Sequence, residues 1–198
     1  MPAKRRSASA RAVKAYAVKV TLLGIRPPVW RRITVRSDIR LEDLHGVLQM
    51  VMGWTNSHMH AFRPLGERAK IHGAAPVERN QERRTRLDEL MKKPKDRMVY
   101  EYDFGDSWEH ELLLEKAVAH RPGARYPWVL GGAGACPPED IGGVSGYAHF
   151  LQVMRGPRHP EHEEMMEWHG RGFDPAAFDV QALNRAFHGG WAPRKPDG

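Results

Sequence analysis

Tyr100-Glu-Tyr-Asp-Phe-Gly-Asp-Ser-Trp-Glu-His110 is the stretch on which the fold turns. Met98, Tyr100 and Tyr102 alternate with Val99 and Glu101, and beyond Gly105 the alternation resumes at Trp108, His110, Leu112 and Leu114. A period of two sends successive side chains to opposite faces of a strand. Two such runs around a short Asp- and Gly-bearing turn predict an antiparallel hairpin with one aromatic, core-facing side. The same turn gathers Asp103, Asp106 and His110, so the segment that specifies the fold also carries the first candidates for chemistry.

Working outward, Tyr16, Val18, Val20 and Leu22 alternate with Ala17, Lys19 and Thr21, again as a half-buried strand. Gly24-Ile-Arg-Pro-Pro28 stops it, because two prolines cannot donate to a ladder, and a second strand over about 29–35 is predicted to pair antiparallel with the first. Leu41, Leu44, Leu48, Val51 and Met52 recur at helical spacing, with Gly53 placed as a helix-terminating glycine. His58, His60 and Phe62 read as a further strand with both imidazoles on one side, and Leu87 to Lys92 as a short helix. Residues 64–85 read as a long basic surface loop, and 121–143, rich in Gly and Pro, as irregular chain. Tyr147, Phe150, Leu151 and Met154 restore helical spacing. Pro160 with Glu161, Glu163 and Glu164 suits a helix start, and Asp174-Pro175, Asp179 and Gly189 bracket a final helical pair. The fold class expected is α+β: a mostly antiparallel sheet with helices on one face and a C-terminal helical cap.

A chain of 198 residues with 41% hydrophobic content suits one core. The division expected is a flexible basic tail over 1–14, a single α+β domain over 15–190 and a frayed end over 191–198. One cysteine, Cys136, excludes an internal disulfide and a Cys-x-x-Cys redox or thiolate-zinc motif. No apolar run approaches the ~20 residues that cross a bilayer, so a cytoplasmic protein without membrane contact is expected. The net charge of +7 is unevenly placed: residues 1–98 hold 22 Lys and Arg against 9 Asp and Glu, residues 99–198 hold 9 against 15. Three arrangements satisfy that asymmetry: a basic surface for a polyanion, two mutually attracting faces of one globule, or self-association between copies.

The chemistry-bearing residues form three groups. Asp103, Asp106 and His110, with the His58/His60 pair, offer oxygen and imidazole ligands suited to a divalent metal such as zinc, manganese or iron; turn-capping and packing are the structural alternative. Cys136 near His45 or His110 is a candidate nucleophile or a structural cysteine. Glu139 and Asp140 meet a cation, an arginine or the following helix start, and His45 borders the apolar stripe of its helix. Arg26, Arg31, Arg32, Arg36, Arg83, Arg84 and Arg86 are candidate phosphate contacts, with Arg31 alternatively pairing with Asp103 or Asp106. Asp103-Phe104-Gly105 matches the kinase metal-binding triplet, but no glycine-rich loop or His-Arg-Asp segment accompanies it.

Seven ordered segments give the chain a family resemblance: Gly24-Ile-Arg-Pro-Pro-Val-Trp-Arg-Arg-Ile33, Leu41-Glu-Asp-Leu-His45, Met52-Gly-Trp54, His58-Met-His-Ala-Phe62, Tyr102 to His110, Cys136-Pro-Pro-Glu-Asp-Ile-Gly-Gly143 and Phe173-Asp-Pro175. With these it resembles the plasmid pRiA4b ORF-3-like proteins over about 16–188. The resemblance implies an α+β fold and a mobile-element context and brings no established activity. Arg40 departs from it, standing where a Ser or Thr helix cap is expected. The leading expectation is a non-enzymatic module engaging nucleic acid or an acidic protein through its basic half, without a cofactor. The alternative is a metal-dependent enzyme, such as a hydrolase, built on the 102–110 hairpin.

Overall fold

The computed structural model describes residues 12–65, 75–170 and 172–189. Residues 1–11 of the expected 1–14 basic tail, part of the basic loop with Arg68 and Lys70, and all of the expected frayed end over 191–198 lie outside the described residues. Six strands form one antiparallel sheet: β1 (Lys14–Leu22), β2 (Trp30–Arg36), β3 (His60–Leu65), β4 (Arg97–Tyr102), β5 (Trp108–Ala119) and β6 (Trp128–Ala133), ordered β3-β4-β5-β1-β2-β6. Among the described residues five helices accompany it: α1 (Leu41–Met52), α2 (Leu87–Leu90), α3 (Gly143–Arg155), α4 (His162–His169) and α5 (Val180–His188). The chain is therefore α+β, as its alternating runs require.

Alternation sorts the sheet into two faces. Tyr16, Val18, Val20 and Leu22 of β1, Ile33 and Val35 of β2, Tyr100 and Tyr102 of β4, and Trp108, Leu112 and Leu114 of β5 are buried in one cluster. Leu44, Val47, Leu48 and Val51 of α1, Leu87 of α2 and Tyr147 and Phe150 of α3 join the same cluster. The opposite side carries Lys19, Arg32, Arg63, Arg97, Glu101, Glu109, Glu111 and Glu115. There Arg32 forks onto Glu115 at 2.7 and 2.9 Å, Arg97 meets Glu111 at 3.0 Å, and Arg63 bridges Glu101 and Glu109. Antiparallel sheets tolerate one solvated face in this way.

Four sequence expectations are corrected. The segment 121–143 contains β6, missed because Pro127 and the pair Gly131-Gly132 mask a strand. Residue 132 must be small, since a Cβ there would lie 2.6 Å from Phe178 and 2.7 Å from the Trp30 carbonyl. His58 precedes β3, so it does not share a strand face with His60. Asp174 opens a turn, its carboxylate accepting the Ala176 N–H at 2.9 Å, and not a helix. Arg40 indeed gives α1 no side-chain cap, but the Leu41 N–H donates to the Thr85 carbonyl at 3.1 Å instead.

The fourth concerns Arg31. It is 3% exposed and pairs with neither Asp103 nor Asp106. Its Nε donates to the Val51 carbonyl at 2.8 Å, and one Nη to the carbonyls of Trp30 and Ala133 at 2.9 and 3.0 Å. The guanidinium also lies 4.4 Å from the Phe178 ring centroid. Val51 belongs to the last turn of α1, which has no basic residue of its own, so Arg31 supplies from β2 the positive charge that the negative end of the helix dipole favours. Arg31→Met removes these donors and leaves buried carbonyls unpaired. It should destabilise the protein by about 1–3 kcal/mol in urea unfolding; an unchanged midpoint would contradict this role.

Candidate functional site

Three loops converge at the hairpin end of the sheet: the segment after α1, the β4–β5 turn and the segment before α3. Glu139 joins them. Its carboxylate accepts the Thr55 N–H at 3.0 Å, the Thr55 hydroxyl at 2.7 Å, the Ser57 hydroxyl at 3.1 Å and the Tyr102 hydroxyl at 2.7 Å. Burial opposes the Glu139 charge, but these donors outweigh it and hold the carboxyl below its usual range. Burial and the neighbouring Glu139 carboxylate push the Tyr102 phenol up to about 12. The Trp54 indole N–H adds a bond to the Pro137 carbonyl at 3.1 Å.

Glu139 thereby sets its neighbour Asp140 against His58. His58 Nε2 lies 3.1 Å from Asp140 Oδ1 and 3.7 Å from Asp103 Oδ2, and one ligand atom from each of the three residues falls within 4.8 Å of the others. Donors around one small cation at about 2.0–2.2 Å sit roughly 3–3.5 Å apart; the His58–Asp140 distance falls within that spacing and the His58–Asp103 distance just above it. His58 Nε2 is shielded from solvent yet makes no hydrogen bond, so the contact is not an ordinary imidazole–carboxylate bond. Asp103 is fixed from behind: its Oδ1 accepts the N–H groups of Gly105 and Asp106 at 2.9 and 3.3 Å, leaving Oδ2 toward His58. Asp103 and Asp140 both have left-handed backbones, with φ of 57° and 59°, an unfavourable state for a side-chain-bearing residue that clusters at functional sites.

The other predicted site residues separate. Asp106 accepts the Gly142 N–H at 3.1 Å and tethers the loop before α3. His110 is fully buried, bonds the Tyr100 carbonyl through Nδ1 at 3.1 Å, and packs edge-on to Trp54, so it is no ligand at this corner. Cys136 is half-buried, and burial pushes its thiol well above the ordinary range, which disfavours a thiolate nucleophile and favours a structural cysteine.

His45 and His60 form a separate buried unit. Their rings stack at 3.5 Å and 9°. His60 Nε2 lies 2.9 Å from buried Glu82, and the Arg79 guanidinium donates to His60 Nδ1 at 3.2 Å. His45 belongs to a closed ring of hydrogen bonds. The Tyr100 hydroxyl donates to His45 Nδ1 (2.8 Å), His45 Nε2–H to Asn56 Oδ1 (2.7 Å), the Asn56 N–H to Gln49 Oε1 (2.9 Å), and Gln49 Nε2 back to the Tyr100 oxygen (2.9 Å). Only a neutral His45 closes this ring, because Nδ1 must accept. The ring pins Asn56, two residues before His58, to α1 and β4. Sequence periodicity placed His45 at the stripe's border but gave no sign of this partner set.

Most predicted phosphate contacts are already engaged. Arg31 is buried; Arg32 holds Glu115, Arg36 holds Asp38, Arg83 holds Glu42 and Arg86 holds Asp88. Arg26 and Arg84 are exposed without an ion-pair partner among the described residues.

With this geometry in hand, the class is an α+β protein with one open-faced antiparallel sheet and a polar corner at its hairpin end. Residues 14–182 match the plasmid pRiA4b ORF-3-like proteins, and the chain belongs to that family. It is similar to the uncharacterized protein y4hQ of Sinorhizobium fredii (strain NBRC 101917 / NGR234), 39% identical over 174 residues, covering 85% of this chain and 88% of that one. The crystal structure of a protein of unknown function, MM3350 from Methanosarcina mazei Go1, is similar with a TM-score of 0.76 and 32% identity, covering 87% of this chain and 98% of that one. Among the described residues no helix is long and apolar enough to cross a membrane.

The buried imidazoles make a pH prediction. Burial, then the neighbouring His60, lowers the His45 pKa from 6.5 to about 4; burial does the same for His110. The unfolded chain therefore binds protons between about pH 6.5 and 4 that the folded chain refuses. Stability from these groups is complete above about pH 6.5 and falls as pH drops toward 4, on the order of 3 kcal/mol for each. Urea unfolding across this range should show the decline, and His45→Gln should remove about half of it, leaving the His110 share; a pH-independent midpoint would contradict the assignment.

Proposed function

We propose that this protein is a divalent-metal protein whose centre is His58 Nε2, Asp103 Oδ2 and Asp140 Oδ1. The observation that carries the reading is a local break in the charge pattern. On the sheet, Glu101, Glu109, Glu111 and Glu115 each meet an arginine, whereas Asp103, Asp106 and Asp140 at this corner meet no Lys or Arg among the described residues. Two carboxylates facing one imidazole, all without a counter-charge, make a favourable seat for a cation. One nitrogen and two oxygens suit manganese, iron or zinc, and three protein ligands leave coordination positions for water or a substrate oxygen. The Asp140 side chain is 71% exposed and Asp103 10%, so the seat opens on one side. A metal held this way acidifies its bound water and polarises a carbonyl or phosphoryl oxygen, the chemistry of metal-assisted hydrolysis.

Nucleic-acid binding through the basic half finds less support. A phosphate approaching Arg32, Arg36, Arg83 or Arg86 must compete with a carboxylate already in place.

Titration of metal-stripped protein with Mn²⁺, Fe²⁺ or Zn²⁺ by calorimetry should give one site per chain, and His58→Ala or Asp103→Asn should weaken it at least about tenfold while the protein stays folded. Glu139→Gln, which removes charge from the loop tether without removing a ligand, should weaken the site less. Stoichiometric binding that survives both ligand substitutions, or no binding at all, overturns the proposal.

A further inference from the structure

A second site lies between the β5–β6 connection and the end of α5, independent of the metal corner. A cavity of about 450 Å³ there is lined by Arg36, His120, Ala124, Arg125, Tyr126, Phe187 and His188. That volume falls within the range of small-molecule sites, about 300–1,000 Å³. Three features of the lining define what fits. Among the described residues it contains no carboxylate. Its nitrogen groups are largely unspent: His120, Arg125 and His188 make no ion pair or hydrogen bond among the described residues, and His188 Nε2 is shielded from water without a partner. Arg36 alone is committed, to Asp38 at 2.9 Å. Most arginines of the sheet are matched by acids, so a cavity that concentrates unmatched nitrogen donors departs from the pattern of the molecule.

The remaining wall is aromatic. Tyr126 faces His120 with ring centroids 5.4 Å apart, and His188 stacks on Trp128 at 5.1 Å and 22°. Tyr126 also borders a smaller cavity of about 230 Å³, lined by Val35, Arg36, Asp38, Ile39, Arg40, Asp43 and Pro127. In that second chamber Arg36 and Arg40 are matched in number by Asp38 and Asp43, so the unmatched nitrogen groups lie on the Arg125 side, which assigns the negative group of a ligand there and its flat, uncharged part to Tyr126.

We infer that the cavity beside Tyr126 binds a small phosphorylated aromatic ligand of mononucleotide size, its phosphate on Arg125, His120 and His188 and its ring against Tyr126. Guanidinium and imidazole donors hold phosphate by charge-assisted bonds, and an aromatic face stacks on a base without reading its edge. The site therefore distinguishes a nucleoside monophosphate from inorganic phosphate, which lacks the ring, and from a nucleoside, which lacks the charge.

Calorimetric titration of the full chain with AMP, adenosine and inorganic phosphate tests this. AMP is expected to bind at least about tenfold tighter than either fragment, and Arg125→Ala, an exposed position, to weaken AMP about tenfold with an unchanged melting temperature. In NMR spectra AMP should shift the ring signals of His120 and His188 and leave those of His45 and His110 in place. His58→Ala should leave AMP affinity unchanged, which separates this site from the metal centre. The inference is overturned by absence of AMP binding at millimolar concentration, by AMP binding indifferent to Arg125→Ala, or by inorganic phosphate binding as tightly as AMP.

Discussion

One constraint organises this molecule: its sheet packs its core on one face only. A strand with period-two alternation then has a single workable arrangement, aromatic and aliphatic side chains inward and charged ones outward. Tyr100, Tyr102, Trp108 and Leu112 go one way, and Glu101, Glu109 and Glu111 the other. A one-residue slip between β4 and β5 would bury the glutamates and expose the rings, so the pairing of Tyr102 with Trp108 is fixed by burial as much as by the turn between them.

The charge asymmetry of the sequence follows from the same constraint. Arginines of the first half, Arg32, Arg63 and Arg97, find their partners in glutamates of the second half on neighbouring or next-neighbouring strands. Each such pair on a solvated face contributes little to stability, about 0–1 kcal/mol. Together they leave the solvated face with few uncompensated charges, and two clusters without such compensation among the described residues stand apart: three aspartates at the hairpin corner and a nest of Arg and His beside Tyr126. Of the three arrangements compatible with the asymmetry, mutual attraction within one globule accounts for these pairs.

Much of the fold was legible because the signals were local. Alternation found β1, β4 and β5, helical spacing and Gly53 found α1 with its observed ends, and Asp179 caps α5 through the N–H groups of Gln181 and Ala182 as its position suggests. β6 was hidden because Gly132 serves there as a close-approach residue, a need created by Phe178 far along the chain. At the site, His58 and Asp103 were named as ligands and do meet. Asp140 was named only as one of several polar groups, since its meeting with His58 depends on Glu139 anchoring one loop to another over 82 to 84 residues of sequence. His60 and His110 were misassigned to the corner because composition cannot tell an imidazole that closes a buried network from one that faces solvent. Arg31 was misread for a similar reason: its partners are backbone carbonyls, which no side-chain pattern announces.

The central claim is that the unpaired acids and His58 form a seat for a cation. Anomalous X-ray diffraction from crystals grown with Mn²⁺ measures it directly. The account predicts one strong peak about 2.0–2.3 Å from His58 Nε2 and from carboxylate oxygens of Asp103 and Asp140. A peak elsewhere, or a corner in which His58 hydrogen-bonds an aspartate with no metal density at millimolar Mn²⁺, would contradict it.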